Sequence, residues 1–315
     1  MKIPAAFSKR LWHNVPMAGI ETQAKRLRAK WPKRAAFTIL TVALLVALAV
    51  LWGFVIEPSM LTVTNLEIID GRVPAAQDGL RVVFFSDLHV GSCFTVEEAE
   101  RAIEKIKGLK PDLLLFGGDL TQQEKPGNEP DGARVSSAFA AIRPRYGKYA
   151  VFGNHDVWPS EMKPVARKML EDGGFTILEN TAAEPAEGIH LAGTLPWPMH
   201  TGKGGSGRQS VTWAAQNGYF TILLAHEPAQ INDFKKVSFA LQLSGHTHGG
   251  QVALPVIGPL AETYATDGFY AGKYRVKDTL LYVTTGVGVI DRHVRFGAPP
   301  EVVVVTLHKN NDTAQ

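Results

Sequence analysis

Five short apolar runs, at 81–86, 112–116, 149–152, 220–225 and 239–243, each lead within three residues into an Asp, Asn or His. Runs of this length, rich in β-branched, Leu and Phe residues and bounded by Gly and Asp, read as strands buried on both faces. In open α/β sheets the loops that carry ligands gather at the carboxyl ends of strands, so five strands ending this way describe one layered α/β domain with one site.

The segments between them read as helices. Thr95 is placed to cap a helix over 97–109, Glu98 completes a capping box, and Ala99, Ile103 and Ile106 form its inward stripe. Val135, Phe139 and Ile142 mark a second helix before Pro144. Val165 and Met169 mark a third that stops at Gly173-Gly174. Later runs at 189–192, 280–284 and 302–307 are expected to extend a second sheet.

The residues at the strand ends form a sequence of donor groups: Asp87-Leu88-His89, Gly117-Gly118-Asp119, Gly153-Asn154-His155-Asp156, Ala225-His226 and Gly245-His246-Thr247-His248. Asp87 and His89 are two apart and can reach one ion; the two glycines before Asp119 allow close backbone approach and make its carboxylate the candidate to bridge that ion and a second. Oxygen and imidazole donors without thiolate suit manganese, iron or zinc. Two such ions, roughly 3.5–4 Å apart, can hold a phosphoryl group in line for attack and lower the pKa of water toward about 7. A phosphoester hydrolase follows, whereas a zinc peptidase or serine hydrolase has no support, since neither His-Glu-x-x-His nor Gly-x-Ser-x-Gly occurs. Cys93, the single cysteine, excludes an intramolecular disulfide and reads as a small, partly buried residue.

Residues 36–56 are uncharged and apolar, long enough as a helix to cross a bilayer, and Glu57-Pro58 follows where a cleaved signal would need small residues. Nine Lys/Arg and one Glu occupy the first 34 residues, which leaves 24 basic and 29 acidic residues beyond them. The positive-inside rule then predicts a single-pass protein of the cell (inner) membrane, with its N-terminus cytoplasmic and its catalytic domain outside. Pro4, Pro16 and Pro32 favour an irregular basic tail over an amphipathic helix. The mildly acidic remainder argues against a nucleic-acid partner, and nothing specifies a protein partner.

The same motifs, with LLAHEP, LSGHTHGGQ, TTGVG and RFGAPPEVVVVTL, resemble the calcineurin-like metallophosphoesterases, in a bacterial membrane-associated branch, over about residues 80–308. That resemblance implies a four-layer α/β/β/α sandwich, here preceded by one transmembrane helix. The expected divisions are a basic segment 1–35, the helix 36–56, a linker with a first strand 57–79, the catalytic domain 80–308 and a tail 309–315.

The resemblance implies that Asp87, His89, Asp119 and His248 hold one divalent ion, manganese foremost, and that Asp119, Asn154, His226 and His246 hold another. His155 would stabilise the phosphoryl group or protonate the leaving oxygen, with Asp156 orienting its imidazole. Arg295 matches a recurrent arginine that would either clamp a phosphate or form a structural ion pair. After Gly193 the chain departs from its relatives, and Trp197, Met199, His200, Lys203 and Arg208 lie in that divergent stretch.

The expected activity is hydrolysis of a phosphodiester or pyrophosphate by metal-activated hydroxide, on a lipid or nucleotide-lipid. The resemblance also admits a UDP-2,3-diacylglucosamine pyrophosphate hydrolase of lipid A synthesis. A catalytically silent metal-binding membrane receptor or scaffold is the alternative of another class.

Overall fold

A computed structural model describes residues 17–122, 131–197, 205–216, 218–234, 236–261 and 263–310. The chain divides into two units, 1–51 and 52–315.

The first unit is a helix, α1 (Met17–Leu51). Positions 33 to 51 are all exposed, so among the described residues nothing buries this apolar surface. By length and composition, Lys33–Ser59 could cross a membrane. Helical conformation begins at Met17, well before the apolar run, and continues through Pro32. The expected irregular tail is therefore helical from Met17 onward, and positions 1–16 lie outside the described residues.

In the second unit the strands are, in chain order, β1 (Thr62–Asp70), β2 (Leu80–Phe85), β3 (Leu113–Phe116), β4 (Lys148–Ala150), β5 (Thr176–Ile177), β6 (Thr181–Ala186), β7 (Ile189–Gly193), β8 (Phe220–Leu224), β9 (Leu241–Ser244), β10 (Ala253–Leu254), β11 (Gly258–Pro259), β12 (Gly272–Val276), β13 (Thr279–Val283) and β14 (Glu301–Lys309). The helices are α2 (Val96–Gly108), α3 (Gly132–Ala140), the single turn α4 (Asn154–Val157), α5 (Met162–Asp172) and α6 (Gly205–Gln216).

Two six-stranded sheets run in the orders β1-β14-β2-β3-β4-β5 and β12-β13-β9-β8-β7-β6, and β10 and β11 form a separate hairpin. Strands β2, β3 and β4 are parallel, as are β7, β8, β9 and β13. Leu66, Val82, Phe84 and Leu115 from the first sheet pack against Leu191, Ile222, Leu243 and Tyr282 from the second. The opposite face of the first sheet packs on α2, α3 and α5 through Ile103, Phe139 and Leu170. Leu223 and Ala192 of the second sheet meet Val211 and Ala214 of α6. The four layers expected from the resemblance are thus observed.

Local signals in the sequence account for the helix ends. Thr95 Oγ1 accepts the Glu98 amide at 3.2 Å while Glu98 Oε2 accepts the Thr95 amide at 2.8 Å, closing the capping box of α2. That exchange satisfies two otherwise orphaned amides and is worth about 1 kcal/mol.

One expectation needs correction. Strand β14 belongs to the first sheet, parallel to β1 and antiparallel to β2, and does not extend the second. Its consecutive valines require cover on both faces: Val302 and Val304 face the helices, Val303 and Val305 the opposing sheet. A central place in either sheet would meet that need, so the pattern alone could not choose.

Candidate metal centre

The carboxyl ends of β2, β3 and β4 in one sheet and of β8 and β9 in the other meet at one edge of the sandwich. There the amide of His246 donates to Asp87 Oδ1 at 2.9 Å, the Asp87 amide to the Gly118 carbonyl at 2.9 Å, and the Gly245 amide to the His226 carbonyl at 3.0 Å. Five of the donor residues, Asp87 (φ 57°), His89 (φ 47°), Asp119 (φ 57°), His246 (φ 72°) and His248 (φ 51°), adopt left-handed backbone that costs an L-residue roughly 1 kcal/mol or more. The surrounding loops hold that strain. A Cβ on Gly245 would lie 2.1 Å from Asp87 Oδ2, and one on Gly153 would lie 2.1 Å from Asp119 Oδ1, so neither position admits a side chain as the loops stand.

The side chains form two groups that share Asp119. On one side, His248 Nε2 lies 3.7 Å from Asp87 Oδ1 and 3.0 Å from His89 Nε2, and His89 Nε2 lies 3.5 Å from Asp119 Oδ2. On the other, His226 Nε2 lies 3.1 Å from Asp119 Oδ2 and 3.2 Å from Asn154 Oδ1, and His246 Nδ1 lies 2.9 Å from Asn154 Oδ1. In the second group both distal ring nitrogens are spoken for. His226 Nδ1 meets the Gly117 carbonyl at 2.8 Å and His246 Nε2 the Tyr264 carbonyl at 2.9 Å, contacts that fix which nitrogen of each ring faces inward.

Electrostatics test whether cations fit. Burial pushes His89 down to about 3 and His246 to about 4, and holds His248 well below the ordinary imidazole value. These three rings are neutral donors at neutral pH. Burial alone would lower His226 too, but the carboxylates of Asp119, Asp87 and Glu227 outweigh it and hold His226 well above its ordinary value. Burial would raise Asp119, yet the surrounding imidazoles, His226 first, hold it well below the ordinary carboxylate. The cluster attracts positive charge to the point where inward-facing nitrogens and carboxylate oxygens crowd together. With only oxygen and imidazole donors, it fits divalent ions.

All seven residues expected as ligands are brought together, and His155 joins them. Its ring stands edge-on to that of His89 at 4.8 Å, its amide donates to Asp119 Oδ1 at 2.8 Å, and the ring borders the cleft. Two other expected roles change. Asp156 is fully buried, and its oxygens accept the amides of Asp119 at 2.8 Å, Leu120 at 2.8 Å and Gly153 at 2.9 Å, while the buried His155 Nδ1 has no hydrogen-bond partner among the described residues. Asp156 clamps the turns that bear Asp119 and Asn154 and does not orient the imidazole.

Arg295 is likewise fully buried. Its guanidinium donates to the carbonyls of Gly288 at 3.1 Å, Ala298 at 2.7 Å and Thr285 at 2.9 Å, and stands 3.4 Å from His248 Nδ1. A group spent on carbonyls cannot grip a phosphate in the cleft. Arg295 supports the His248 loop from behind.

The sequence offered no sign of three supporting groups, the carbonyls of Gly117 and Tyr264 and the buried Glu227, whose Oε1 accepts the Trp197 amide at 3.0 Å. Main-chain carbonyls leave no trace in residue identity. Met199, His200 and Lys203 lie outside the described residues, as does the side chain of Arg208. Trp197 is exposed, with its ring 5.5 Å from that of Tyr264.

The cleft above the cluster has a volume of about 510 Å³. His89, Asp119, Asn154, His155, His246 and His248 form its floor, while Val252, Leu260, Tyr264, Ile290 and Val294 make one side apolar.

A fold of this layering with this floor defines a metallophosphoesterase. Residues 80–250 match the family model of the calcineurin-like phosphoesterases, and the chain belongs to that family. It is a metal-dependent phosphoric ester hydrolase. Among its relatives is the metallophosphoesterase YkuE of Bacillus subtilis, 32% identical over 260 residues that cover 81% of this chain and 88% of that protein. Phosphodiesterase YaeI of Escherichia coli is 29% identical over 76% of this chain and 88% of its own length. A Danio rerio transmembrane protein with a metallophosphoesterase domain is 28% identical over 86% of this chain and 62% of its own length. The chain falls in the branch that includes YkuE and YaeI.

Proposed function

We propose that this protein is a membrane-anchored phosphodiesterase or pyrophosphatase with a dinuclear metal centre, acting on a lipid or nucleotide-lipid. The observation that carries the reading is the pair of donor groups sharing Asp119. Asp87, His89, Asp119 and His248 would hold one ion and Asp119, Asn154, His226 and His246 the other. Manganese suits these donors, and iron and zinc are the alternatives. When bound, the two ions polarise the phosphoryl oxygens and lower the pKa of water enough to supply the nucleophile at neutral pH.

The chain's own groups do the rest. The cleft floor orients the phosphoryl group over Asp119. The His155 ring, which borders the cleft without ligating in this scheme, neutralises developing charge or gives a proton to the leaving oxygen. Asp156 keeps the Asp119 and Asn154 turns in register. The apolar side of the cleft supports a substrate with a hydrocarbon part, as do the exposed apolar residues at 36–51 of α1.

The nine basic residues upstream of the apolar run 36–56 argue for a cytoplasmic N-terminus and an extracytoplasmic catalytic domain in the inner membrane. UDP-2,3-diacylglucosamine, a cytoplasmic nucleotide-lipid, would need the opposite orientation. The test is hydrolysis by the full chain, loaded with manganese, of a panel of phosphomonoesters, phosphodiesters and nucleotide-lipids, beside metal analysis and a topology reporter fused after Gln315. Two bound ions with no turnover of any diester or pyrophosphate would overturn the reading.

A further inference from the structure

Between Gln251 and Ala261 the chain carries no charge, and this stretch contains the β10–β11 hairpin. At its tip Val256 is 107% exposed and Ile257 71% exposed. Val256 also has φ 70°, a left-handed conformation that a β-branched side chain rarely adopts. Two bulky aliphatic side chains are therefore held fully in the open, one at a position where Gly or Asn would fit better. Exposed apolar groups clustered in this way mark a surface that something covers.

The occupant follows from what the hairpin is attached to. At its base, the Ala253 amide donates to the Phe296 carbonyl at 2.7 Å and the Phe296 amide to the Gln251 carbonyl at 3.0 Å. One residue earlier, the Arg295 amide donates to the Gly53 carbonyl at 2.9 Å. Gly53 lies in the turn that ends the apolar stretch Lys33–Ser59, and Glu57 in the same turn accepts the Ala298 amide at 2.8 Å. Trp52, Phe54 and Val55 of that turn are themselves exposed. A continuous backbone-bonded strap thus joins the exit of the apolar helix to the hairpin. Ile290, Asp291, Arg292 and Val294 of the strap line the cleft together with Val252 and Leu260 of the hairpin.

We propose that the hairpin tip at Val256-Ile257 is a second membrane contact, which dips into the bilayer surface and sets the apolar wall of the cleft against it. A lipid-borne phosphoester then reaches the metal floor by sliding its hydrocarbon part along Val252, Leu260 and Val294, without leaving the bilayer. This inference rests on the membrane-anchored reading. Exposed Arg292, at the same wall, is placed to meet an anionic lipid headgroup.

Full-length protein in phosphatidylglycerol/phosphatidylcholine liposomes tests it, with Cys93→Ser removing the chain's single cysteine. A nitrobenzoxadiazole dye on Val256→Cys should be blue-shifted and quenched by nitroxide-labelled lipid more strongly than the same dye on Glu187→Cys, an exposed reference on the β6–β7 turn. The double variant V256D/I257D should lower hydrolysis of a liposome-embedded phosphodiester by about tenfold or more. Its kcat/KM on a soluble bis-aryl phosphate should stay unchanged, since neither side chain lines the cleft; Asp is also easier than Val in left-handed backbone.

Wild-type protein that fails to float with the liposomes overturns the anchor and this inference with it. Flotation with a dye at 256 that stays in water, or that reports contact with a second copy of the chain, overturns the hairpin contact alone. A parallel loss on both substrates does the same, because it assigns the tip a structural part.

Discussion

The amide of Arg295 and the carbonyl of Gly53 are joined at 2.9 Å, so the turn that leaves the apolar helix and the arginine behind the His248 loop are one piece of structure. The Arg295 side chain turns the other way, into the loop carrying Gly286 and Gly288 and toward His248. One residue therefore links the turn after the apolar helix to the loop that carries His248.

Replacement of that arginine should show the coupling. Arg295→Met keeps the volume but leaves the carbonyls of Gly288, Ala298 and Thr285 without donors in a site that water does not reach. The expected loss of stability is about 2–4 kcal/mol, with weaker metal binding on the His248 side. Urea unfolding and metal titration of the variant measure both, and unchanged values in each would refute the supporting role.

Asp119 and His155 should separate metal loading from turnover. Asp119→Asn removes the one carboxylate common to both donor groups and should leave the protein with fewer than two bound ions and no activity. His155→Ala should keep both ions and lose roughly 10²–10⁴-fold in kcat. Metal analysis beside hydrolysis of a bis-aryl phosphate reads the difference, and full activity in either variant contradicts its assigned part.

Gly245 should tolerate no side chain. In Gly245→Ala the new methyl would meet Asp87 Oδ2 at 2.1 Å, and either the carboxylate or the loop must move. Metal affinity should fall, with stability lower by about 1–3 kcal/mol. A variant that binds metal as the wild type does would show that the loop yields at no cost.

Acidification should expose the contribution of Glu98. Burial alone would raise its carboxyl, but the bonds from Thr95 and the contact with His293, 3.0 Å away, together hold it below its ordinary value of 4.5. A depressed carboxyl stabilises the fold above its unfolded pKa, and that stabilisation is lost as the pH falls through the native value. Glu98→Gln should thus be less stable than the wild type at pH 7, by at most about 1 kcal/mol, and the gap should narrow as the pH falls below 4.5. Denaturation midpoints at neutral and acidic pH check the sign; a gap that widens on acidification would contradict it.

Much of the fold could be read from the residues. The capping box at Thr95 and Glu98, the stripe of Ala99, Ile103 and Ile106, and the stop at Gly173-Gly174 are local signals, and each is where local physics places it. Strand β14 marks the limit of such reading. Its valines declare that both faces are covered, but which sheet supplies the neighbours depends on contacts far away in the chain. The site shows the same division. Donor types and spacing identified the Asp, Asn and His residues. The left-handed backbone at Asp87, Asp119 and His246 could not be read from residue type, since Asp and His adopt it more often than most side chains yet in a minority of cases.

By itself, the order of donors at the ends of apolar runs pointed to the family and named the candidate ligands, and the uncharged run 36–56 declared the apolar helix, because residue type and spacing suffice to state chemistry and burial. Only the tertiary structure decided that Asp156 clamps amides, that Arg295 is spent on carbonyls, and that the cleft wall and the exit of the apolar helix share one strap. Those roles depend on which distant groups meet a side chain once both sheets close, and a one-dimensional pattern does not contain that distance.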